Sequence, residues 1–278
     1  MKLVLFDLDG TLLDMGLYGV ISLNKAIKNL YGKEPKYDHA FLAGKTDTHN
    51  FNYVFKETFK KNPTPKQFAA LKAEYLKLLP LEAKGKKTKV ISGVEAFLKK
   101  LSAIKEVKLA LATGNFEEAA RIKLAPSGLN KYFTTGGFGD KAPNRPAMLL
   151  EAVKNAQKQF KAKFKEGDVY VIGDTASDIT AAKENGFHNA VVDEAGLGDR
   201  EKLLRAAAEL HEKNFKNIKL WLMWLGLAAD PKGVEKGSYI MPASAIEHVF
   251  FSRTGIDEQR LKMFRIKKYS DLESGTLL

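Results

Sequence analysis

Lys2-Leu3-Val4-Leu5-Phe6-Asp7-Leu8-Asp9-Gly10-Thr11 decides how this chain is read. Residues 2–6 are a short apolar run that meets an acidic turn at once, which reads as a strand buried on both faces and ending in that turn. Asp7 and Asp9 stand one residue apart where the strand stops. Side chains alternate along a strand but diverge in the turn behind it, so both carboxylates reach one cleft. Holding two negative groups together raises a pKa unless a cation compensates.

The same pattern recurs downstream. Val107–Ala112 reads as a second buried strand, ending at Thr113-Gly114-Asn115, with Glu117 and Glu118 opening a helix behind it as the helix dipole favours. Asp168–Ile172 is a third, running into Gly173-Asp174-Thr175, and Asp178 follows shortly. Four acids at strand ends, with no cationic cluster near them in sequence, call for a divalent metal, and hard oxygen ligands select Mg²⁺ over zinc.

A weaker strand is expected around Tyr132–Thr135, leading into Gly136-Gly137-Phe138-Gly139, then a helix from Pro146 to Phe160 and a further strand at Ala190–Val192. Alternation of strand and helix, with polar residues at strand ends, predicts an α/β fold. Its centre is a Rossmann-like, doubly wound parallel sheet with ligands at the carboxyl edge. Residues 15–31, 47–61 and 65–79 instead carry apolar residues at helical spacing, punctuated by Gly32, Pro35, Gly44, Pro63 and Pro65. The reading is a helical block without strands, closed by the lysine-rich linker Lys84–Lys89 and a helix from Gly93 to Ser102. The expected organisation is a core of residues 1–14 and 91–195, an inserted helical block of residues 15–90, and an extension of residues 196–278 packed on the core. In that extension the spacing predicts helices over 199–213 and 216–228, strands at Tyr239–Ile240 and Val249–Phe251, a helix over Gly255–Phe264, and fraying of the last nine residues. Trp221, Leu222, Trp224, Leu225 and Leu227 require burial, in the chain's own core or in a dimer interface.

Composition sets the outer bounds. The 278 residues, 45% apolar and 28% charged, suit a soluble globular protein, and zero cysteines remove disulfides, thiolate nucleophiles and cysteine-bound metals together. The apolar run at the N-terminus meets Asp7 too soon for a signal peptide, and the longest apolar stretch, Leu220 to Ala229, is about half of a membrane span. No membrane partner is expected and the location reads as cytoplasmic. The net charge of +12 is uneven, with −2 over residues 1–14 and +9 over residues 15–90. That basic block is either a solvated face or a means of drawing in an anionic substrate. Nucleic acid is disfavoured, because the lysines are scattered among helical periods and lack interleaved aromatics. His39, His49, His188, His211 and His248 have no ligand-like spacing and read as surface or packing residues.

Asp7-Leu8-Asp9-Gly10-Thr11 resembles the first motif of the haloacid-dehalogenase-like phosphatase superfamily, and Gly173-Asp174-Thr175-Ala176-Ser177-Asp178 resembles its fourth. Thr113 ends a strand between them, as the second motif requires. The resemblance covers residues 1 to about 195 and is of the phosphoglycolate-phosphatase type, with residues 15–90 similar to a C1-type cap. It implies Mg²⁺ and an aspartyl-phosphate intermediate. By that resemblance Asp7 is the nucleophile, and Asp9 protonates the leaving alcohol and then deprotonates water. Asp174 binds the metal with Asp7 and the backbone carbonyl of Asp9, Asp178 completes or orients the metal shell, and Thr113 with the amides of Gly114 and Asn115 holds phosphate oxygens. The third motif needs one cation near a helix start. Arg145, in Asn144-Arg145-Pro146, matches the usual lysine-proline pairing in position, with Lys141 as the alternative. Gly44-Lys45-Thr46-Asp47 looks like the substrate-specificity loop, which gives Lys45 and Thr46 a place beside the leaving group.

The function expected is a Mg²⁺-dependent phosphatase acting on a small phosphorylated metabolite, phosphoglycolate or a sugar phosphate. An acid at Asp9 disfavours C–P and C–halogen cleavage. Two alternatives stay open: a β-phosphoglucomutase-like phosphomutase, and a non-catalytic nucleic-acid or partner-binding protein on the same scaffold. Neither the oligomeric state nor the role of residues 196–278 is legible.

Overall fold

The apolar run at the N-terminus forms β1 (Lys2–Phe6). Val4 and Phe6 enter one hydrophobic cluster while Leu3 and Leu5 enter another, so both faces of this strand need a covering layer. The computed structural model, which describes residues 1–83 and 89–228, supplies both layers.

A two-residue strand β2 (Leu13–Asp14) leads out of the sheet to α1 (Tyr18–Tyr31), α2 (Asp47–Phe59) and α3 (Pro65–Ala83), and β3 (Lys89–Val90) leads back. β2 and β3 pair antiparallel as Leu13 with Val90 and Asp14 with Lys89, a short ribbon that joins the helical insertion to the core. The chain continues through α4 (Val94–Ser102), β4 (Val107–Thr113), α5 (Glu117–Leu124), β5 (Gly136–Phe138), α6 (Arg145–Phe160) and β6 (Val169–Gly173). The described residues close with α7 (Ala176–Glu184), β7 (His188–Val192), α8 (Arg200–Ala206), β8 (Leu210–Glu212) and α9 (Ile218–Trp224). Six parallel strands form one sheet in the order β5-β4-β1-β6-β7-β8. This is the expected α/β architecture.

On one face, α4 buries Val94, Phe97, Leu98 and Leu101 against the sheet and α9 adds Trp221. On the other, α6 contributes Met148, Leu149, Ala152 and Ala156 and α7 contributes Ala181 and Ala182. A third cluster is built by the inserted helices through Leu23, Ile27, Phe51, Val54, Phe55, Leu71, Tyr75 and Leu79, and it is completed by Phe116 and Ala119 from the α5 region. The insertion is therefore docked on the core through shared apolar packing.

Four local readings change. The block of residues 15–90 is not free of strands, because Lys89 and Val90, expected as the end of the linker and of the block, form β3 against Leu13 and Asp14. The strand expected at Tyr132–Thr135 lies instead at Gly136–Phe138, and Leu129–Tyr132 forms a 3-10 turn. Glycine has little strand preference of its own. Here β5 takes its pairing from β4, through Leu111 with Gly136 and Thr113 with Phe138. The helix expected over 199–213 divides into α8 and the edge strand β8, which pairs with β7 from Ala190–Leu210 to Val192–Glu212. The last helix is shorter than the expected 216–228. Residues 84–88 of the expected linker, the elements expected at 239–240, 249–251 and 255–264, and the last nine residues lie outside the described residues.

Trp221 is fully buried, its ring centroid 5.6 Å from that of Phe97 and 4.8 Å from that of Phe215, and its indole N–H donates to the Asn214 carbonyl at 3.0 Å. Trp221→Ala is expected to destabilise the protein by about 3–5 kcal/mol, as large aromatic truncations in packed cores do. Urea unfolding of the two proteins measures this, and a loss under about 1 kcal/mol would show that α9 contributes little to the core.

Candidate active site

Three adjacent strands deliver the acidic residues to one place. Asp7 follows β1, Thr113 ends β4 and Asp174 follows β6, and β1 lies between the other two. The path leaves β1 for β4 and β5 on one side, then returns to β6, β7 and β8 on the other. Such a reversal opens a crevice at the carboxyl ends of the strands. Asp7, Asp174 and Asp178 are buried there, each offering a carboxylate oxygen, and these oxygens all lie within 4.8 Å of one another. Gly10 makes the approach possible: its φ is +82°, and a Cβ there would stand 2.1 Å from Asp174 Oδ2. Asp178 sits on the first turn of α7, where its Oδ2 accepts from the Thr175 backbone N–H at 3.1 Å and the Thr175 hydroxyl at 2.7 Å.

Arg145 opens α6 behind the capping residue Asn144, whose Oδ1 accepts from the Ala147 N–H at 3.0 Å. One terminal guanidinium nitrogen lies 2.7 Å from Asp7 Oδ2 and 2.7 Å from Asp178 Oδ1, and the second terminal nitrogen donates to the Gly44 carbonyl at 3.2 Å. Lys141 is placed elsewhere: its ammonium lies 3.9 Å from Glu117 and its side chain is 57% exposed. Burial pushes Asp7 from 3.8 up to about 6, Arg145 pulls it back in part, and Asp178 adds to the rise. Asp174 is pushed well above its ordinary value by burial and by its neighbours Asp7 and Asp178. Burial opposes the Arg145 charge too, but Asp178, Asp7 and Asp174 outweigh it and hold the guanidinium above its ordinary value.

This motif arrangement has a match among known proteins. The haloacid dehalogenase-like hydrolase family pattern covers residues 4–192 of the chain. The chain belongs to that family. A phosphoglycolate phosphatase from Aquifex aeolicus (strain VF5) is 28% identical to this hydrolase over 200 residues, spanning 69% of this chain and 84% of its own. A crystal structure of a predicted phosphoglycolate phosphatase from Haemophilus somnus 129pt superposes with a TM-score of 0.59 at 20% identity, over 80% of this chain and 97% of that one. A β-phosphoglucomutase from Clostridium difficile gives 0.62 at 16% identity, over 81% and 97%. At those identities the two structures establish a common fold.

In this hydrolase the Thr113 hydroxyl oxygen accepts from the Asn115 side-chain amide at 2.7 Å and from the Asn115 backbone N–H at 3.3 Å. Asn115 is thus turned toward Asp9, to whose Oδ2 its Nδ2 donates at 2.9 Å. Gly114 admits the cap loop: a Cβ on it would stand 2.5 Å from the Lys45 carbonyl oxygen. Around it the Asp47 N–H donates to the Gly114 carbonyl at 2.6 Å, Asp47 Oδ2 accepts from the Phe116 N–H at 2.9 Å, and the Thr48 hydroxyl donates to the Gly139 carbonyl at 2.6 Å. These bonds tie the inserted segment to the core. Lys45 is exposed and lines the crevice, whereas Thr46 is buried and its hydroxyl caps α2 by accepting from the His49 N–H at 3.2 Å. Of the histidines, His188 lies 2.8 Å from Glu209 and His211 2.9 Å from Asp193, both away from the acids, while His39 lines the crevice and His49 borders the adjoining one.

One site residue was not singled out from the sequence. Lys123 is buried and its ammonium lies 2.5 Å from Asp9 Oδ2 and 2.6 Å from Asn115 Oδ1. A signal for it existed. Ala119, Ala120, Lys123 and Leu124 share the buried face of α5, so its helical phase places a lysine where apolar residues belong.

Asp47 is also raised from 3.8 to about 6, chiefly by burial, with Lys123 pulling it down. A carboxyl whose folded pKa is raised binds protons that the unfolded chain has released, so stability falls as pH climbs between the two values and levels off above the higher one. Protein stripped of divalent cations is therefore expected to melt at progressively lower temperature as the pH is raised from about 5 through about 6, driven by Asp7, Asp47 and Asp174. Asp193 and Glu194, lowered in the fold, act with the opposite sign but have completed their effect below that window. Thermal denaturation across a pH series checks it, and a rising melting temperature over that window would contradict it.

Proposed function

We propose that the protein is a Mg²⁺-dependent phosphatase that hydrolyses a small phosphorylated metabolite, phosphoglycolate or a sugar phosphate, through an aspartyl-phosphate intermediate. It is a phosphoric monoester hydrolase of the haloacid dehalogenase-like kind. The observation that carries the finer reading is the convergence of Asp7, Asp174 and Asp178 around Arg145, with Asp9 beside them.

The donor set suits a hard divalent ion. Asp174 Oδ1 is buried and has no hydrogen-bond partner, which asks for a ligand that accepts electron pairs. Asp7, Asp9, Asp174 and Asp178 outnumber the cations Arg145 and Lys123, an excess of negative charge that a divalent cation offsets. Asp7, Asp174, Asp178 and the Asp9 carbonyl are the groups that would hold it, and when bound it cancels repulsion between nucleophile and phosphate.

An Asp7 oxygen attacks phosphorus and the bond from phosphorus to the leaving oxygen breaks, while Asp9 gives that oxygen its proton. Asp9 then takes a proton from water, which attacks the acyl phosphate, releases inorganic phosphate and restores Asp7. Arg145 steadies the Asp7 carboxylate and the transferring group, a task its planar fork suits. Thr113 and the Gly114 amide support phosphate oxygens, and the Asn115 amide joins them once freed from Thr113. The closed cap leaves a crevice of about 310 Å³ whose far wall is Leu23, Leu42, Phe51 and Tyr75, with Lys45 at its edge and Thr46 behind the loop. That space admits a small leaving group and excludes bulk water. Lys45 meets a substrate anion, and the basic cap draws such anions in. The protein works in the cytoplasm on small molecules and not on nucleic acid.

A panel of phosphorylated metabolites, assayed for phosphate release with and without Mg²⁺, tests the reading. Metal-dependent release from one small ester is the expected result, and no release from any ester would sink it. The second reading, a phosphomutase, draws on the two retained acids, Asp7 and Asp9. Conversion of a hexose 1-phosphate to its 6-phosphate without net phosphate release would decide for it.

A further inference from the structure

Lys123 enters none of the steps above, yet an ammonium with its side chain only 6% exposed is costly to bury unless its contacts repay desolvation. We propose that Lys123, together with Asn115, is the positioning residue that fixes Asp9 by one carboxylate oxygen and leaves the other for proton transfer. This rests on the phosphatase reading of Asp9.

The geometry is a closed net. Lys123 Nζ donates to Asp9 Oδ2 at 2.5 Å and to Asn115 Oδ1 at 2.6 Å, and Asn115 Nδ2 donates to the same Asp9 Oδ2 at 2.9 Å. Thr113 anchors Asn115 in turn, at 2.7 Å. Every contact the net makes with Asp9 falls on Oδ2. Asp9 Oδ1 is buried with no hydrogen-bond partner. A buried carboxylate oxygen left unpaired is unusual, and here its partner is the proton exchanged first with the leaving group and then with water.

A different role, gripping a second anionic group of the substrate, is disfavoured by the surroundings. Lys123 is paired with Asp9 and its charge also lowers the pKa of the buried Asp47 carboxyl, so one ammonium already acts on two carboxylates. It has no net charge left to offer. Its compact ammonium fits a corner shared by two acceptors in a way that a planar guanidinium does not.

The test compares Lys123→Met, Lys123→Gln and Lys123→Arg with the parent enzyme on a series of substituted phenyl phosphates whose leaving phenols become steadily more basic. kcat/KM reports the steps up to the enzyme-bound phosphate, where Asp9 acts as acid. The parent should depend weakly on leaving-group basicity because a fixed acid protonates each phenolate. Lys123→Met should depend on it steeply, losing about tenfold or less with the best leaving group and on the order of 10²-fold or more with the poorest. Lys123→Arg should recover part of the loss. A merely structural lysine would lower all members of the series alike, and equal slopes for parent and variant overturn the proposal, as does kcat/KM unchanged throughout. Where Lys123→Met fails to fold, by its circular dichroism and melting curve, Lys123→Gln carries the same comparison with a neutral hydrogen-bonding side chain. Should the parent hydrolyse none of the esters, the phosphatase reading itself falls and this role with it; parent turnover with parallel slopes removes the role of Lys123 alone.

Discussion

Asp7→Asn is expected to lower phosphate release by on the order of 10⁴-fold or more while leaving the protein folded. An amide oxygen is a poor nucleophile, and no neighbouring group replaces the lost one. Asp9 is committed to Lys123 and Asn115, and Asp178 is committed to Arg145 and Thr175. The same substitution should raise the melting temperature of the metal-free protein at neutral pH. Asp7 is ionised there only against burial and against Asp178, with its pKa held up at about 6, so removing the charge relieves a penalty. Arg145 is not orphaned by the change, because Asp178 remains 2.7 Å away and an asparagine oxygen still accepts a hydrogen bond. Phosphate-release kinetics and thermal denaturation in a chelating buffer read the two effects. Activity within about tenfold of the parent would remove Asp7 as nucleophile, since removal of a covalent nucleophile leaves only binding and electrostatic help. A large fall in melting temperature would show that Asp7 is held there by pairing stronger than its desolvation.

The sequence was informative where its local pattern and its tertiary role coincide. Leu3 to Phe6 are apolar without a break because helices cover both faces of β1, and Asp7 and Asp174 are conspicuous because an acid directly behind such a strand has no part in the core. Arg145 was legible from Pro146 behind it, which marks the helix start that aims the guanidinium. What stayed hidden has a tertiary cause. Lys123 resembles any lysine of a short helix, and its burial follows from the inserted helices packing over α5, where Phe116 and Ala119 belong to their cluster. β5 was misplaced because two of its three residues are glycines, kept small by α6: a Cβ on Gly137 would stand 2.2 Å from the Met148 carbonyl oxygen. β8, with three residues, is too short for any alternation to register, and it exists because β7 offers an edge to pair with.

Withdrawal of divalent cations is expected to lower turnover by about 10³-fold or more, and Mg²⁺ is expected to restore it, because metal catalysis of this kind is worth several kcal/mol. The reason lies in the charges that the fold brings together. Three carboxylate oxygens within 4.8 Å of one another face a single guanidinium, and an incoming phosphate adds further negative charge to the same crevice. Without a cation, attack by Asp7 sets like charges against each other in a poorly hydrated space, where their repulsion is weakly screened. The effect has a pH signature with a definite sign. Protons compete with the ion for Asp7, raised to about 6, and for Asp174, also raised by burial and its acidic neighbours, so affinity for Mg²⁺ weakens as pH falls through about 6. An ion that binds the folded chain raises the melting temperature with the logarithm of its concentration over Kd, so the rise at a fixed Mg²⁺ concentration should be larger at about pH 7.5 than at about pH 5. The added stability should also flatten the decline with pH expected of the metal-free protein, since a bound cation removes the penalty on the ionised acids. Turnover that survives chelation, or a melting temperature indifferent to Mg²⁺ at both pH values, would mean that Arg145 and Lys123 alone balance the acidic cluster.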